Sequence, residues 1–243
     1  MHIIKLSAID STNSYLRELA SKKVLEDFTV AIAKHQVKGR GQIGSVWNSE
    51  KGKNLTCSVF KRNCCVSIDD QFYISMVTSL AIIKTLQLFQ VPKLAVKWPN
   101  DILSEQKKIC GILIENVIKH QDIEGTIIGI GLNVNQTQFK NLPMASSLKN
   151  LTGTLFDVEE LLVRIVEHLK YYFEKLEQGK HDFIKRAYES LLFRRLKPST
   201  FKDIEGNLFS GFIQGVNTNG ALQILLEDNI IKEFKLKEIQ LLY

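Results

Sequence analysis

The chain has 243 residues, 44% hydrophobic and 24% charged, an ordinary globular composition with length for one large domain or a large and a small one. It holds no run of about 18 apolar residues that would cross a bilayer, and residues 1–10 lack the basic-then-apolar pattern of a secretory signal. The net charge of +6 suits a phosphate-bearing ligand, an acidic partner or nucleic acid. Lysines spread along the chain, rather than clustered in a block, equally describe a solvated surface. Cys57, Cys64, Cys65 and Cys110 form no paired CxxC knuckles with histidines, which argues against zinc. The adjacent Cys64 and Cys65 are expected to be inert, reduced thiols.

In chain order, the first predicted helix covers 12–22. Ser11 or Thr12 can cap it, and Tyr15, Leu16, Leu19 and Ala20 make an apolar stripe opposite Arg17, Glu18 and Lys22. Residues 29–35 alternate as a strand, a glycine-rich stretch follows over 38–47, and 54–60 read as another strand. The strongest early helix covers 70–89, opening on acidic residues and carrying Phe72, Ile74, Val77, Leu80, Ala81 and Leu88. A short strand, 94–97, stops at Trp98 and Pro99, because the residue before proline is held extended and proline gives no ladder donor. Residues 102–103, a polar turn at 104–107 and residues 109–118 read as a hairpin, and 125–134 as a buried strand. Amphipathic helices are predicted over 158–176 and 182–192. Beyond Lys197 and Pro198, short strands at 201–204, 208–216, 221–226 and 231–236 are separated by tight turns, the pattern of a small all-β barrel. The boundary falls near 192–198, giving domains 1–192 and 193–243.

Four stretches carry chemistry. Residues 38–47, KGRGQIGSVW, place three glycines within six residues, so the backbone can turn and present N–H groups to an anion; Arg40 adds a guanidinium matched to carboxylate or phosphate oxygens. No GK[ST] follows, so this is not a P-loop; the alternative is an ordinary hairpin turn. Residues 97–101, KWPND, form a rigid turn. It is either a structural corner with Trp98 as anchor or a wall aiming Lys97, Asn100 and Asp101 into a cleft. In 108–115, KICGILIE, Lys108 stands where a turn becomes a buried strand. It either snorkels or sits at the strand mouth, where a cation could hold a carboxylate and a phosphate together. Gly111 inside a strand signals close approach by a ligand or another backbone. In 129–135, GIGLNVN, small residues leave room beside the strand, and Asn133 and Asn135 alternate onto one face where an amide can read a purine edge; plain sheet packing also explains them.

The four stretches in this order resemble the biotin–protein ligase family, whose members carry GRGxxGxxW, KWPND, KxxGILIE and GxGxN. Here these are residues 39–47, 97–101, 108–115 and 129–133, and the family's Ser-Thr-Asn is Ser11, Thr12 and Asn13. The resemblance spans nearly the whole chain. It implies an α/β (α+β) fold: a catalytic domain related to class II aminoacyl-tRNA synthetases, followed by a small SH3-like β-barrel. It implies ATP-dependent ligation of biotin, through biotinyl-5′-AMP and with Mg²⁺, to a lysine of a biotin carboxyl carrier protein, a domain of acetyl-CoA carboxylase or another biotin-dependent carboxylase. The setting would be cytoplasmic; a homodimer stays open and no metal ligands are assigned. By the matched positions, Ser11, Thr12, Asn13, Gln36 and Gly111 belong to the biotin pocket. Arg40, Gly41 and Gln42 lie in the loop that closes over biotin and the adenylate. Trp47, Lys97 and Asn100 join Arg40 and Gly41 at the nucleotide, and Asn133 matches the adenine contact. Lys108 matches the lysine touching the biotin carboxylate and α-phosphate, and Asp101 an acidic residue near the incoming lysine or metal. Lys108, Arg40 and Asp101 are the expected catalytic residues.

Two departures stand out. Family members often have a second arginine where this chain has Gln42, so fewer cations would guard the adenylate. Bifunctional members place a DNA-binding helix-turn-helix ahead of the catalytic domain, whereas Ser11 stands almost at the start, so no DNA binding by that route is expected. The nearest alternative is a lipoate or octanoate protein ligase or transferase of the same superfamily, whose loop reads RRxSGGGxVxHD where this one reads GRGQIG. A non-enzymatic nucleic-acid module is the second alternative. Asp203, Glu205, Glu227, Asp228 and Glu233 interrupt any basic stripe on the β-rich tail.

Overall fold

Period-two apolar segments in the first half of the chain assemble into a seven-stranded sheet that carries the cleft. The computed structural model describes residues 1–64, 66–119 and 122–243; the expectation for Cys65 lies outside them. The strands are β1 (Ile3–Leu6), β2 (Thr29–Ala33), β3 (Leu55–Arg62), β4 (Leu94–Lys97), β5 (Asp101–Ser104), β6 (Lys107–Lys119) and β7 (Asp122–Leu132). Their order across the sheet is β1-β2-β3-β7-β6-β5-β4. Only β1 and β2 run parallel; every other neighbouring pair is antiparallel.

Register gives the two faces different work. Paired residues share a face. Cys57 with Ile130, and Val59 with Ile128, point to one side, where they meet helices α2 (Phe72–Leu88) and α4 (Val158–Glu177) in the main core. Helix α2 is buried along most of its circumference, as expected for a helix wedged between a sheet and other helices. Asp157 caps α4 by accepting from the N–H groups of Glu159 and Glu160 at 2.7 and 3.3 Å. The opposite face receives α1 (Thr12–Lys22), whose Leu16 packs with Ala31, Phe60 and Ile127. A short α3 (Leu148–Thr152) follows the sheet, and α5 (His181–Ser190) follows α4.

A second, antiparallel sheet contains β8 (Pro198–Asp203), β9 (Leu208–Val216), β10 (Leu222–Leu225), β11 (Ile231–Phe234) and β12 (Ile239–Leu242), in the order β11-β10-β9-β8-β12. It is a small barrel-like unit filled by stacked rings of Phe201, Phe209 and Phe234, with centroids 5.4 and 5.5 Å apart. It shares one apolar core with the first sheet. Trp98 Nε1 donates to the Gly220 carbonyl at 2.8 Å, and Val216 N–H donates to Glu189 at 3.0 Å.

Several sequence expectations shift. Ser11 occupies the N-cap of α1, but its side chain makes no capping bond. The Thr12 N–H is satisfied from another part of the chain, by Gln36 Oε1 at 2.8 Å. Strands β1 and β12 and helix α3 are additional, and β8 starts at Pro198, a first-strand position that needs no ladder donor. Among the described residues no helix is long and apolar enough to cross a membrane.

Candidate active site

A cavity of about 220 Å³ opens on the α1 face of the first sheet. Its floor follows from the register. Ser58 pairs with Gly129 and Gly129 with Leu113, while Gly131 pairs with Gly111 and Gly111 with Asp101. These are adjacent rows on one face, two residues or about 7 Å apart along the strands. Glycine at 111, 129 and 131 is what makes the floor low. A Cβ at Gly129 would collide with the Asn13 amide, and one at Gly131 with the Trp47 indole. The same indole lies over Gly111, whose Cβ would stand 3.0 Å from Trp47 Cζ3. Trp47 Nε1 is buried and has no hydrogen-bond partner among the described residues.

One end of the cavity is polar and uncharged. Ser11, Thr12, Asn13 and Gln36 all line it. Ser58 Oγ donates to Asn13 Oδ1 at 2.5 Å and lies 2.6 Å from Thr12 Oγ1, which is 3.0 Å from Gln36 Oε1. Two hydroxyl hydrogens serve three contacts, so with Ser58 giving its hydrogen to Asn13, Thr12 divides its own between Ser58 and Gln36.

The other end holds Lys108, Asp101, Asn100 and Trp47. Lys108 reaches this face because of a bulge. The register passes from Ile102 opposite Cys110 to Leu103 opposite Lys108, so Ile109 is the extra residue. Without it Lys108 would share the core face with Cys110. Its Nζ sits 2.6 Å from Asp101 Oδ1, a Coulombic contact without hydrogen-bond alignment, and 5.8 Å from the centroid of the Trp47 ring. Asn100 is fixed by donating to the Ile112 carbonyl at 2.9 Å. Trp98 and Pro99, joined by a cis peptide, form the corner beneath. Cys57 borders the cavity from β3, but its side chain turns to the α2 and α4 side, where burial pushes the thiol up to about 12.

The glycine-rich loop roofs the cleft. It contains a 3-10 turn at Gln42–Gly44, closed by Gly41 N–H to Ser45 O at 2.8 Å and by Trp47 N–H to Gly39 O at 2.9 Å. Arg40, Gly41 and Gln42 line the cavity. The Arg40 guanidinium, however, donates to Glu115 Oε2 at 2.9 Å rather than standing beside Lys108. Glu115 follows Gly111 and Leu113 along β6, so the two expected cations are drawn toward opposite ends of the floor.

Residues 6–133 match the biotin/lipoate A/B protein ligase family. The chain belongs to that family. Among curated relatives, the bifunctional ligase/repressor BirA of Bacillus subtilis is 30% identical over 237 residues, covering 94% of this chain and 70% of that protein. A biotin–[acetyl-CoA-carboxylase] ligase of Paracoccus denitrificans is 28% identical, covering 89% of this chain and 91% of that one. The solved biotin protein ligase of Aquifex aeolicus in complex with biotin and ATP superposes with a TM-score of 0.82 at 26% identity, covering 99% and 98% of the two chains.

The family's motifs converge as expected in most respects: Ser11, Thr12, Asn13, Gln36, Arg40, Gly41, Gln42, Trp47, Asn100, Asp101, Lys108 and Gly111 all line one cavity. Two expected nucleotide residues lie outside its lining. Lys97 turns its ammonium over the Tyr243 ring, 4.8 Å from the centroid. Burial, with help from Lys108 and against the pull of Asp101, lowers its pKa. Asn133 Nδ2 donates to the Ser146 carbonyl at 2.9 Å, and both polar atoms of the Asn135 side chain bond the Phe156 backbone. These amides anchor the segment after β7. Ser58 and Glu115 take part in the site without having been singled out in the sequence.

Proposed function

We propose that this chain is a biotin–protein ligase, condensing biotin with ATP to biotinyl-5′-AMP and passing the biotinyl group to a lysine of a biotin carboxyl carrier protein. One observation carries the reading: a single cavity joins an uncharged hydrogen-bonding end, at Thr12, Asn13 and Gln36, to a cationic end at Lys108, across a glycine floor. A cyclic urea such as biotin's needs donors and acceptors without net charge, whereas a carboxylate meeting a phosphate needs a cation. The unpartnered Trp47 N–H and the low floor at Gly111 and Gly131 suit a flat ligand at that second end.

In the first step a biotin carboxylate oxygen forms a bond to the α-phosphorus of ATP, and the bond to pyrophosphate breaks. Lys108 offsets the repulsion between the two anions, and Asp101 holds its ammonium over the floor. Removing one such contact costs roughly 10²–10³ in rate. Arg40 fastens the loop over the cleft. In the second step the carrier lysine attacks the carbonyl carbon and AMP leaves. A free lysine has a pKa of about 10.4, so the amine must lose a proton, and Asp101 is placed to accept it. Water must be kept from the mixed anhydride meanwhile, which is the work of the loop and the Trp47 indole.

Among the described residues no group of three His, Cys, Asp or Glu is arranged to hold a metal ion, and Asp101 is the one carboxylate in the cavity lining. That donor set fits a Mg²⁺ held mainly by the nucleotide's phosphates, with Asp101 as its protein ligand, where it would neutralise phosphate charge. Dependence on ATP and on a carboxylase carrier suits work in the cytoplasm.

ATP–pyrophosphate exchange tests the reading, with biotin, lipoate and octanoate offered separately. Exchange supported by biotin alone is expected. Exchange supported by lipoate or octanoate instead would overturn it.

A further inference from the structure

Glu115 ends the apolar run of β6, on the same face as Gly111 and Leu113 and next along from the cavity floor. Its carboxylate is largely buried, with 15% of the side chain exposed, and it gathers three donors from two separate elements. Oε1 accepts from Arg17 of α1 at 3.0 Å. Oε2 accepts from Asn13 Nδ2 at 2.8 Å and also from Arg40 Nη2, in the glycine-rich loop, at 2.9 Å. One oxygen atom therefore touches both the closed end of the pocket and the loop that roofs it.

An ionised carboxylate only accepts hydrogen bonds. Asn13 Nδ2 donates to Glu115 Oε2 and, at 3.3 Å, to the Leu113 carbonyl; Glu115 supplies the shorter and charge-assisted of the two bonds that turn Oδ1 to Ser58. Ser58 must then donate to Asn13, which makes Thr12 the donor toward Ser58. A residue outside the cavity lining thus reinforces the donor and acceptor order of the uncharged end. The same carboxylate neutralises one of two guanidiniums, and its bond to Arg40 is charge-assisted and partly shielded from water, with Arg40 43% and Glu115 15% exposed. A hollow bounded by residues 37–41, 44–46, Leu113 and Glu115 lies between the loop and β6.

We propose that Glu115 is a positioning residue for the ligase reaction, orienting the Asn13 amide for the urea ring and latching the glycine-rich loop through Arg40 so that the acyl-adenylate is retained. The proposal rests on the biotin-ligase reading above. It couples ligand recognition to loop closure at one carboxylate. Loss of the negative charge loosens both together, while the reacting groups at Lys108 and Asp101 stay in place.

The test compares the full-length wild type with Glu115→Gln, Arg40→Ala, and the double variant. Three quantities are measured: the biotin dissociation constant, the rate at which biotinyl-AMP leaves the loaded protein, and the thermal midpoint. Glutamine keeps the shape but can donate and carries no charge, so it leaves the Asn13 amide held chiefly by the longer bond to the Leu113 carbonyl and removes the charge that holds Arg40. About a tenfold or greater loss of biotin affinity, and a similar gain in adenylate release, are expected for Glu115→Gln. Arg40→Ala should speed release, and the double variant should release no faster than the faster single variant. Wild-type affinity and release in folded Glu115→Gln overturn the proposal, as does a lowered midpoint with unchanged affinity and release, since that is a purely structural role. Multiplicative effects in the double variant overturn the latch. Should Glu115→Gln not fold, Glu115→Asp, which keeps the charge one methylene short, must show the same paired losses or the proposal fails. A wild type with no biotin-dependent pyrophosphate exchange fails the functional reading instead, so the two failures are distinct.

Discussion

Substituting Gly131 by alanine adds one methyl group to the floor of the cleft, and its consequences can be worked from the structure. Gly131 lies in β7 without a positive φ, so alanine fits its backbone and the effect is steric. The new Cβ would stand 2.8 Å from Trp47 Cζ2 and Nε1, and closer still to Cε2, all rigid ring atoms. Relaxing these to the usual 3.5–4.0 Å carbon separation moves the indole by roughly 1 Å. It cannot slide sideways freely, because the Trp47 backbone N–H is bonded to Gly39 O and the ring also rests on Gly111. The loop must lift. Overpacking of this kind costs about 1–3 kcal/mol, which at about 1.4 kcal/mol per decade is roughly a 5- to 140-fold loss of loop closure. Global stability should fall by less than this, since alanine in place of glycine lowers the entropy of the unfolded chain by an opposing contribution of about 0.4–1 kcal/mol. The assay is Trp47 fluorescence in a Trp98→Phe background, since the chain has two tryptophans, alongside the release rate of biotinyl-AMP. Faster release with a red-shifted Trp47, and a fall in the thermal midpoint smaller than the closure cost alone would give, is expected. Wild-type fluorescence and release in Gly131→Ala would refute the claim that the glycine pair seats the indole.

Two further substitutions probe the loop and the buried lysine behind the sheet. Gln42 lines the cavity from the 3-10 turn, so Gln42→Arg should add a cation beside the bound anion and slow biotinyl-AMP release; equal dissociation rates in the two proteins would remove Gln42 from the guarding role. Lys61 is buried between Asp27 and Glu177, at 2.9 and 3.0 Å. Burial works to lower its pKa, but the bonds to both carboxylates outweigh that and the net shift is upward. A raised pKa stabilises the fold fully below the unfolded value of about 10.4 and is lost as pH climbs through the folded value. The gap in urea midpoint between wild type and Lys61→Met should hold steady from neutral pH to about 10 and narrow above it; a gap unchanged at higher pH would contradict the pairing.

Local patterns foretold the elements whose packing is local. Helix α1 matches its expected span from Thr12 to Lys22 because its apolar stripe meets Leu25, Phe60 and Ile127 as the periodicity implies. The hairpin of β5 and β6 was legible because a polar turn separates two apolar runs. Strand β1 was not, since four residues show no usable period and its pairing is with β2, more than twenty residues away. The same limit hid Gln36 as the partner of the Thr12 N–H and Ser58 as the link between Thr12 and Asn13. The motif residues pointed to one cleft, and the register of β6 and β7 brings them there. For Asn133 and Asn135, strand alternation says which face a side chain takes, not whether backbone nearby will bond its amide, as it does here. Glu115 carried a signal that could have been read: an acidic residue two and four positions beyond Leu113 and Gly111 shares their face and so lies beside the ligand floor.

On this mechanism the cleft joins biotin to AMP at Lys108 before the carrier is engaged. The most direct measurement follows labelled pyrophosphate into ATP with and without biotin, then adds a biotin carboxyl carrier domain and reads its mass. Wild type should exchange only with biotin and then modify one carrier lysine, while Lys108→Ala loses exchange by about 10²-fold or more. Absence of biotin-dependent exchange in the wild type, or exchange at the wild-type rate in Lys108→Ala, would contradict it.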